Sequence, residues 1–405
     1  MAGIVIVGGG QAGHQIAAAL RSEGYTGALT LVGEEAALPY QRPPLSKGLL
    51  LGAADPARLP FRLEGYYQKH AIELLLGRRV ERLDRQARRL ELDGRNLAYE
   101  RLALTTGAHV RGLDVPGAEA DGVVYLRTLD QALELKRRLD EANEIVVIGG
   151  GFIGLEVAAS ASKLGKTVTV VELAERLMGR VVAPLLSEFF QTMHEGRGVR
   201  IVLGQGVREI EAEDGRATAV VVADGRRFPA DLVVVGIGVT PADELARDAG
   251  LAVENGIVVD ETTRTSDPLI VAAGDCAHHP NPFAGGARIR LESVQNAVDQ
   301  AKTAAQTLLG RPARYQAVPW FWSDQFEAKL QMVGFSAGHD EVITRGDPAS
   351  GAFSAVYYRE GRLIAIDSVN QPADHMAGRR LLQAGIAVPR EIAADPSRPL
   401  KSLLT

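Results

Sequence analysis

Short apolar runs and helical periodicity alternate through the first three quarters of the chain. Two copies of one strand–helix–strand order are predicted, with apolar strands at 4–7, 29–32, 145–148 and 168–171 and helices at about Gln11–Ser22 and Phe152–Leu164. Gly24 and Gly165 follow the two helices and are typical stop signals. Continuously apolar strands joined by helices are typical of parallel sheets with both faces covered. This part of the chain is therefore predicted to have an α/β fold.

The pattern changes after Pro319. Apolar and polar residues now alternate in WFWSDQ, LQMVGF, FSAVYYRE and RLIAIDSVN, and a turn signal, EGR, stands at 360–362. Such alternation favours an antiparallel sheet with one buried face. A helix is predicted from about Asp374 to Ala384. The C-terminal part is therefore predicted to be a separate α+β domain.

Length and composition narrow the class of protein. At 405 residues, with 46% hydrophobic and 23% charged residues, the chain is predicted to be globular, with about two to four domains. A net charge of −5 does not favour a nucleic-acid partner. The single cysteine, Cys276, excludes a disulfide framework, a Cys-x-x-Cys redox pair and a cysteine-ligated cluster. No leader pattern is seen, and the apolar runs are shorter than the ~20 residues of a membrane span. We therefore expect a cytoplasmic protein without a membrane partner.

One glycine motif occurs twice, as IVIVGGGQAG (4–13) and IVVIGGGFIG (145–154). Each copy follows a strand and opens a helix, with the spacing G-x-G-x-x-G: Gly8, Gly10 and Gly13, then Gly149, Gly151 and Gly154. In this motif the helix N-terminus faces a pyrophosphate, and an acid after the next strand accepts ribose hydroxyls. The acids here are Glu34 or Glu35 in the first copy and Glu172 in the second. The sequence thus predicts two bound dinucleotides.

Further motifs give the chain a resemblance to the ferredoxin reductases of bacterial oxygenase systems, flavoproteins with two dinucleotide-binding domains. The resemblance covers nearly the whole chain and is carried by PYQRPPLSK (39–47), LRTLDQA (126–132), VIGGGFIGLEVA (147–158), VVVGIGVTP (233–241), TSDPLIVAAGDCA (265–277) and VPWFWSDQ (318–325). We call the two glycine motifs, 8–13 and 149–154, the first and the second cradle. The resemblance implies that the first cradle binds FAD without a covalent bond and that the second binds NADH.

The resemblance also implies a fold class: two Rossmann-like dinucleotide-binding domains, for FAD and NAD, like those of glutathione reductase, plus a small α+β C-terminal domain. The implied division is 1–112 and 240–317 for the two parts of the FAD-binding domain, 113–239 for the NAD-binding domain and 318–405 for the C-terminal domain.

Residue roles toward FAD follow from the same resemblance. Ala12 is expected to meet the pyrophosphate, Glu34 the adenosine ribose and Val80 the adenine. The other residues expected along FAD are Arg42, Lys47, Arg127, Asp275, Val294, which opens a helix toward the flavin pyrimidine edge, and Trp320, whose ring is expected near the flavin.

On the NADH side, Ile153 and Gly238 are expected to wall the site, and Arg180 matches a family arginine. Lys47 and Glu156 are implied to meet beside flavin N5, with Glu156 bonded to the nicotinamide carboxamide. They are the predicted catalytic pair. Their role is to orient the nicotinamide for hydride transfer. The Glu172 carboxylate favours NADH over NADPH because it repels a 2′-phosphate, while Arg176 nearby weakens that expectation.

The predicted activity is an FAD-dependent NADH:ferredoxin oxidoreductase. It passes electrons singly to a [2Fe–2S] ferredoxin that supplies a cytochrome P450 or an aromatic-ring dioxygenase. The alternatives are reduction of a rubredoxin or other small carrier, and a flavin-bound signalling protein like apoptosis-inducing factor. A disulfide, peroxide or oxygen reductase is disfavoured because PPLSKG (43–48) holds no thiol.

Three other positions need a stated interpretation. Cys276 is predicted to be a buried packing residue, and the adjacent His278 and His279 are predicted to lie in a solvent-facing turn and not to bind a metal. Thr105 stands where the resembled family has alanine, and we expect it to be tolerated.

Overall fold

The computed structural model describes residues 2–404. Its helices are α1 (Gln11–Ser22), α2 (Glu64–Lys69), α3 (Leu129–Glu141), α4 (Phe152–Lys163), α5 (Pro184–Glu195), α6 (Glu244–Asp248), α7 (Val294–Leu308), α8 (Pro372–Ala384) and α9 (Arg390–Ala394). Its strands are β1 (Gly3–Val7), β2 (Leu29–Gly33), β3 (Ile72–Leu76), β4 (Arg82–Asp84), β5 (Arg89–Leu92), β6 (Arg95–Leu104), β7 (Ala108–Val110), β8 (Val123–Tyr125), β9 (Glu144–Ile148), β10 (Thr167–Val171), β11 (Arg200–Val202), β12 (Val207–Glu213), β13 (Arg216–Val222), β14 (Arg227–Pro229), β15 (Leu232–Val235), β16 (Val239–Pro241), β17 (Val253–Glu254), β18 (Gly256–Val258), β19 (Ile270–Ala272), β20 (Ala277–Pro280), β21 (Arg288–Ile289), β22 (Trp320–Gln325), β23 (Ala328–Gly334), β24 (Glu341–Asp347), β25 (Ala352–Arg359) and β26 (Arg362–Val369).

The chain divides into two units. The first unit contains the chain up to Gln41, Ala57–His109 and Thr240–Pro319; the second contains Arg42–Pro56, Val110–Val239 and the chain from Trp320 onward. The predicted four-segment division into FAD, NAD and C-terminal domains stays a prediction, because this grouping does not assign a nucleotide to a segment.

The first unit is built on a sheet with the order β3-β2-β1-β6-β5-β4, and β19 also pairs with β6. The strands β3, β2, β1, β6 and β19 pair in parallel, whereas β4, β5 and β6 pair antiparallel. Helices α1 and α7 cover one face, where Ile6 and Leu31 pack with Ala17 and Ala301. The other face buries Val5, Val7 and Leu104. These are the covered parallel strands that the apolar runs predicted.

The second unit contains a parallel sheet with the order β11-β10-β9-β15-β8 and a smaller antiparallel sheet, β12-β13-β14. Its C-terminal part is an antiparallel sheet with the order β22-β23-β26-β25-β24. The antiparallel pairing predicted after Pro319 is confirmed. Helix α8 begins at Pro372, two residues before the predicted start, because proline suits the first turn of a helix. Among residues 2–404, no helix is both long enough and apolar enough to cross a membrane.

Candidate functional site

The first glycine cradle joins β1 to α1 in the first unit. Gly8 has φ +118°, and a Cβ there would lie 2.0 Å from the Thr105 carbonyl oxygen. A Cβ at Gly13 would lie 1.9 Å from the Gly8 carbonyl oxygen. Both contacts are too short for any side chain, so both positions require glycine. The helix can therefore begin directly against the strand.

Gly10 has a different reason to be glycine. It is the N-cap of α1 with φ −84°, which any residue can adopt, and a Cβ there would meet no described atom within 4 Å. The space before the helix N-terminus is therefore open, where the orphan N–H groups and the helix dipole favour an anion. A bare backbone facing open space fits the close approach of a dinucleotide pyrophosphate.

The second cradle, between β9 and α4 in the second unit, repeats this geometry. Gly149 has φ +110°, with its would-be Cβ 2.4 Å from the Gly236 carbonyl oxygen. A Cβ at Gly154 would lie 2.1 Å from the Gly149 carbonyl oxygen, and one at Gly151 would meet nothing within 4 Å. This cradle fits a second dinucleotide equally well.

Thr105 does more than fit its position. Its hydroxyl lies 3.0 Å from the carbonyl oxygens of both Val7 and Gly8. The side chain is buried, so it ties the end of β6 to the first turn of the cradle. No neighbouring residue in the sequence indicates this bond, because Val7 and Gly8 lie 98 and 97 positions away.

The acids predicted for the adenosine ribose follow β2. Glu34 is exposed and forms an ion pair with Arg79 at 3.3 Å, and Glu35 accepts a hydrogen bond of 2.6 Å from the Tyr40 hydroxyl. The Gly77 N–H donates to the Glu35 carbonyl oxygen, which joins the segment leading to Val80 to the same end of the sheet. Glu34 and Val80 are thus brought to one edge; their roles toward adenosine stay a prediction.

Ala12, Asp275 and Val294 belong to neighbouring turns of the first unit. Gly274, which precedes Asp275, would bring a Cβ within 3.2 Å of the Ala12 Cβ, and its N–H donates to the buried Gln300 side chain at 2.8 Å. Val294 is the first residue of α7, whose N-cap Ser293 accepts from the Asn296 N–H at 3.0 Å. Helix α7 therefore begins as the sequence predicted.

Glu172, at the end of β10, supports the second cradle directly. Its carboxylate accepts from the Gly150 N–H at 2.6 Å and from the Ala174 N–H at 2.8 Å. Arg176 donates instead to the carbonyl oxygens of Val182 and Gly179 and to the Ser187 hydroxyl. The Arg176 guanidinium is therefore already hydrogen-bonded to the following loop and to α5, so it is not expected to recruit a 2′-phosphate.

Three other residues predicted for the NADH site are Ile153, Arg180 and Gly238. Ile153 is in α4, whereas Arg180 and Gly238 follow β10 and β15. Ile153, in the first turn of α4, is 44% exposed, so its side chain is accessible to a ligand. Gly238 has φ +103°, and its would-be Cβ lies 4.0 Å from an Arg180 guanidinium nitrogen. Gly238 and Arg180 are thus neighbours.

Arg42 and Arg127 are also brought together in the second unit, where the Arg42 guanidinium donates to the Arg127 carbonyl oxygen. The Arg127 N–H in turn donates to Gln131 at 2.8 Å, beside the capping box that Thr128 forms at the start of α3. The two arginines therefore occupy defined positions; their contacts with FAD stay a prediction.

Lys47 and Glu156 form a buried ion pair. Lys47 Nζ lies 2.9 Å from Glu156 Oε1, and the two side chains are 20% and 5% exposed. Lys47 directly follows a short 3₁₀ helix, Pro43–Ser46, and Glu156 lies in the second turn of α4. The prediction paired these residues; whether they act on a nicotinamide stays a prediction.

Two serines complete the environment of Glu156, and the sequence interpretation missed both. The Ser46 hydroxyl donates to Oε2 at 2.5 Å, and the Ser323 hydroxyl donates to Oε1 at 2.6 Å. Ser46 lies in PYQRPPLSK (39–47), beside Lys47, and Ser323 lies in VPWFWSDQ (318–325). No feature of sequence spacing connects them to Glu156.

Trp320 begins β22. The Arg379 guanidinium lies over its ring at 4.9 Å, and the His375 ring meets its edge at 6.0 Å. Both partners come from α8, so this helix packs against the ring. Its contact with a flavin stays a prediction.

The remaining interpretations have mixed outcomes. Cys276 is fully buried, as predicted, and burial raises the pKa of its thiol.

The solvent-facing turn expected for His278 and His279 is wrong. Both residues lie in β20 and are 6% and 1% exposed, because β20 pairs with β18 and β21. Burial lowers the pKa of His279 to about 4. Within residues 2–404, no group of three or more His, Cys, Asp or Glu side chains is placed to hold a metal ion.

Comparison with known proteins decides the family. A family model described as "Pyridine nucleotide-disulphide oxidoreductase" matches residues 2–301. The chain belongs to the pyridine nucleotide-disulphide oxidoreductase family. A second model, "Reductase C-terminal", matches residues 320–404 of this oxidoreductase. Members of the family use FAD and NAD(P)H, so the predicted fold class, cofactors and oxidoreductase activity are confirmed.

Individual members of the family are similar along their whole length. The chain is 50% identical over 399 residues to rhodocoxin reductase of Rhodococcus erythropolis, which covers 98% of this chain and 93% of the relative. The ferredoxin reductase for the CYP199A2 system from Rhodopseudomonas palustris has a TM-score of 0.97 and 48% identity, covering 100% of both chains. The covalent putidaredoxin reductase–putidaredoxin complex has a TM-score of 0.96 and 42% identity, covering 100% of this chain and 98% of that chain.

Proposed function

We propose that this protein is an FAD-dependent NADH:ferredoxin oxidoreductase that delivers electrons to a [2Fe–2S] ferredoxin, which in turn serves a cytochrome P450 or an aromatic-ring dioxygenase. The resembled ferredoxin reductases and the similar ferredoxin reductase structures support the choice of partner. FAD, when bound, accepts the two electrons of a hydride and can release them one at a time.

One observation carries this choice within the family. Disulfide reductases need a reactive thiolate, and the sequence has a single cysteine, Cys276. Its side chain is fully buried, and the thiol lies 3.6 Å and 3.5 Å from the carbonyl oxygens of Leu104 and Ala273. Burial also raises the pKa of the thiol, so it is not a nucleophile. Electrons therefore have to leave the flavin for an external carrier and not for a protein disulfide.

The residues of each cradle have distinct tasks in this function. Backbone N–H groups at the start of α1 bind the pyrophosphate of FAD, and those at the start of α4 bind that of NADH. Glu156 accepts a hydrogen bond from the nicotinamide carboxamide, while Lys47 holds its carboxylate in place at 2.9 Å. The pair thereby orients the nicotinamide ring for hydride transfer.

A preference for NADH over NADPH is part of the proposal. The Glu172 carboxylate marks the position of an adenosine ribose at the end of β10, and its negative charge disfavours a 2′-phosphate there. Arg176, the arginine expected to weaken this preference, donates its hydrogen bonds to the following loop and to α5. The ratio of kcat/KM for NADH and NADPH measures the preference.

Anaerobic stopped-flow mixing tests the function. NADH should bleach the oxidised flavin rapidly, and cytochrome c should then be reduced quickly only when a [2Fe–2S] ferredoxin is added. A rubredoxin is mixed in parallel as the alternative carrier. A flavin that stays oxidised with NADH, or rapid turnover of oxygen or a disulfide without any carrier, would contradict the proposal.

We also propose that the enzyme works in the cytoplasm, where metabolism regenerates NADH. Cell fractionation that follows the flavoprotein with a cytoplasmic marker enzyme tests this location.

A further inference from the structure

The hydrogen bonds around Glu156 continue deeper into the second unit. Ser323 also accepts from the Gln325 side-chain N–H at 3.2 Å, and Gln325 Oε1 lies 3.0 Å from His194 Nε2. We call His194, Gln325 and Ser323 the buried network. All three side chains are 0% exposed. Because no water can replace a partner there, each of these hydrogen bonds depends on its neighbour inside the protein.

Only one arrangement of protons satisfies these contacts. The ion pair with Lys47 makes Glu156 a carboxylate, which only accepts hydrogen bonds, so Ser323 must donate its one proton to it. The Ser323 oxygen then accepts from the amide NH₂ of Gln325. The Gln325 carbonyl oxygen therefore faces His194, whose Nε2 must carry the proton. One donor from each of the three side chains therefore points along the network toward Glu156, while the Gln325 amide also contacts Met178 Sδ at 3.9 Å.

The surroundings of His194 agree with this direction. Its Nδ1 is buried without a hydrogen-bond partner among the described residues, which is tolerable for a bare nitrogen and costly for an N–H. Burial lowers the pKa of His194, so the ring is neutral near pH 7. The Phe326 ring packs against it edge-on at 5.0 Å and restricts its rotation.

The network also determines which Glu156 oxygen remains available. A carboxylate oxygen has about two acceptor sites. Oε1 already receives Lys47 Nζ and the Ser323 hydroxyl, at 2.9 and 2.6 Å. Oε2 receives the Ser46 hydroxyl, at 2.5 Å, and keeps one site.

We propose that His194, Gln325 and Ser323 are positioning residues for the nicotinamide: they orient the Ser323 hydroxyl toward Glu156 Oε1 and so leave Oε2 as the acceptor for the carboxamide N–H. This inference rests on the proposed function, in which Glu156 binds that carboxamide. The three residues touch neither the nicotinamide nor the flavin in this role; they act through Glu156.

A binding comparison on the FAD-loaded protein tests the role of Ser323 without relying on turnover. Calorimetric titration of Ser323→Ala with NAD⁺ should give a Kd about tenfold higher than the wild type, as for the loss of one hydrogen bond to a charged group. The Kd for ADP-ribose, which lacks the nicotinamide, should stay within about twofold. Equal weakening of both ligands, or of neither, would overturn the proposal. Ser162→Ala is the matched control, because Ser162 is on the same helix as Glu156 but its hydroxyl donates to the backbone carbonyl oxygen of Arg197, at 3.2 Å.

A double-mutant cycle separates positioning from simple stabilisation. Gln325→Met keeps the side-chain volume but removes the donor to Ser323. If Gln325 acts only through Ser323, the Ser323→Ala/Gln325→Met protein should have the same NAD⁺ affinity and limiting rate of flavin reduction as Ser323→Ala alone. Independent, additive losses would contradict the network.

The proton direction is measured in the wild-type protein, and a variant is used only to assign the signal. Nitrogen-15 NMR of histidine-labelled holoenzyme at neutral pH should report His194 as the neutral Nε2–H tautomer, with the signal assigned by its loss in His194→Gln. An Nδ1–H tautomer or an imidazolium would refute the direction. If NADH does not reduce the flavin of the wild-type protein, the proposed function is refuted. If Ser323→Ala keeps the NAD⁺ affinity of the wild type, only the present inference is refuted.

Discussion

Replacing the middle glycine of each cradle with alanine distinguishes the two nucleotide sites. Gly10 and Gly151 have φ of −84° and −83°, and a Cβ at either position would meet no described atom within 4 Å. Gly10→Ala and Gly151→Ala should therefore fold normally. The added methyl group occupies the open space that a pyrophosphate needs, so nucleotide binding should suffer while stability does not.

The size of the effect follows from the bonds that are lost. A methyl group in front of the helix N-terminus keeps the pyrophosphate from the backbone N–H groups and removes at least one hydrogen bond to a charged group, worth about 1.5–3 kcal/mol. That corresponds to roughly a 10- to 150-fold higher Kd. Gly13→Ala and Gly154→Ala would not be equivalent tests, because their Cβ atoms would lie 1.9 and 2.1 Å from backbone oxygens and would disturb the fold itself.

The assay measures the two nucleotides separately. After dialysis, Gly10→Ala should have lost most of its FAD, as read from the ratio of flavin to protein absorbance. Gly151→Ala should keep its FAD but bind NAD⁺ roughly 10- to 150-fold more weakly by titration. Gly65→Ala and Gly112→Ala are controls, since a Cβ at these positions also meets nothing within 4 Å and neither lies in a cradle. The opposite pattern, or unchanged binding of both nucleotides, would refute the assignment of FAD to the first cradle and NADH to the second.

Three further predictions concern single side chains. Glu156→Gln should keep FAD but lower the limiting rate of flavin reduction by NADH about a hundredfold, because a misoriented nicotinamide no longer reaches its reactive geometry; an unchanged rate in stopped flow would exclude the orienting role. Cys276→Ala should keep the rate of ferredoxin reduction within about twofold of the wild type and lower the free energy of unfolding by about 1 kcal/mol, a typical cost for a single substitution. A large loss of turnover would indicate that the thiol takes part in the reaction. Asp367 is 1% exposed, accepts from the Tyr357 hydroxyl at 2.5 Å, and burial raises its pKa to about 7 from 3.8. The folded protein holds this proton where the unfolded chain has lost it, so the stability is full below about pH 4 and falls as the pH rises toward 7. Asp367→Asn should remove that fall and raise the unfolding free energy at pH 8 by up to about 4 kcal/mol. If the thermal midpoints of the wild type and of Asp367→Asn change equally between pH 4 and 8, this prediction is wrong.

Part of this molecule could be predicted because its rules act over a few neighbouring residues. The bounds of α1 and the start of α4 agree with the sequence, since a strand, a glycine turn and an apolar periodicity are all local features. The steric need for glycine at Gly8 involves the carbonyl of Thr105, the residue after β6, yet the local motif already predicts a glycine there.

Burial was harder to predict. His278 and His279 appear in the sequence as a polar pair after a glycine turn, but β20 is covered on both edges by other strands and takes them into the interior. Thr105 likewise gave no sign that its hydroxyl would bond to the first cradle. Neither outcome depends on the residues next to these positions in the chain.

The sequence by itself determined the two cradles with their flanking strands and helices, the absence of a reactive thiol pair and the antiparallel character of the C-terminal part, because each depends on the chemistry and spacing of contiguous residues. Only the tertiary structure decided what surrounds Glu156: its serine partners lie 110 and 167 positions away in the chain. Hydrogen bonds of this kind form between whichever side chains packing brings within about 3 Å, and packing is a property of the whole unit. The dinucleotide-binding motifs can therefore be predicted from neighbouring residues, whereas the surroundings of the predicted catalytic carboxylate form only when the second unit folds.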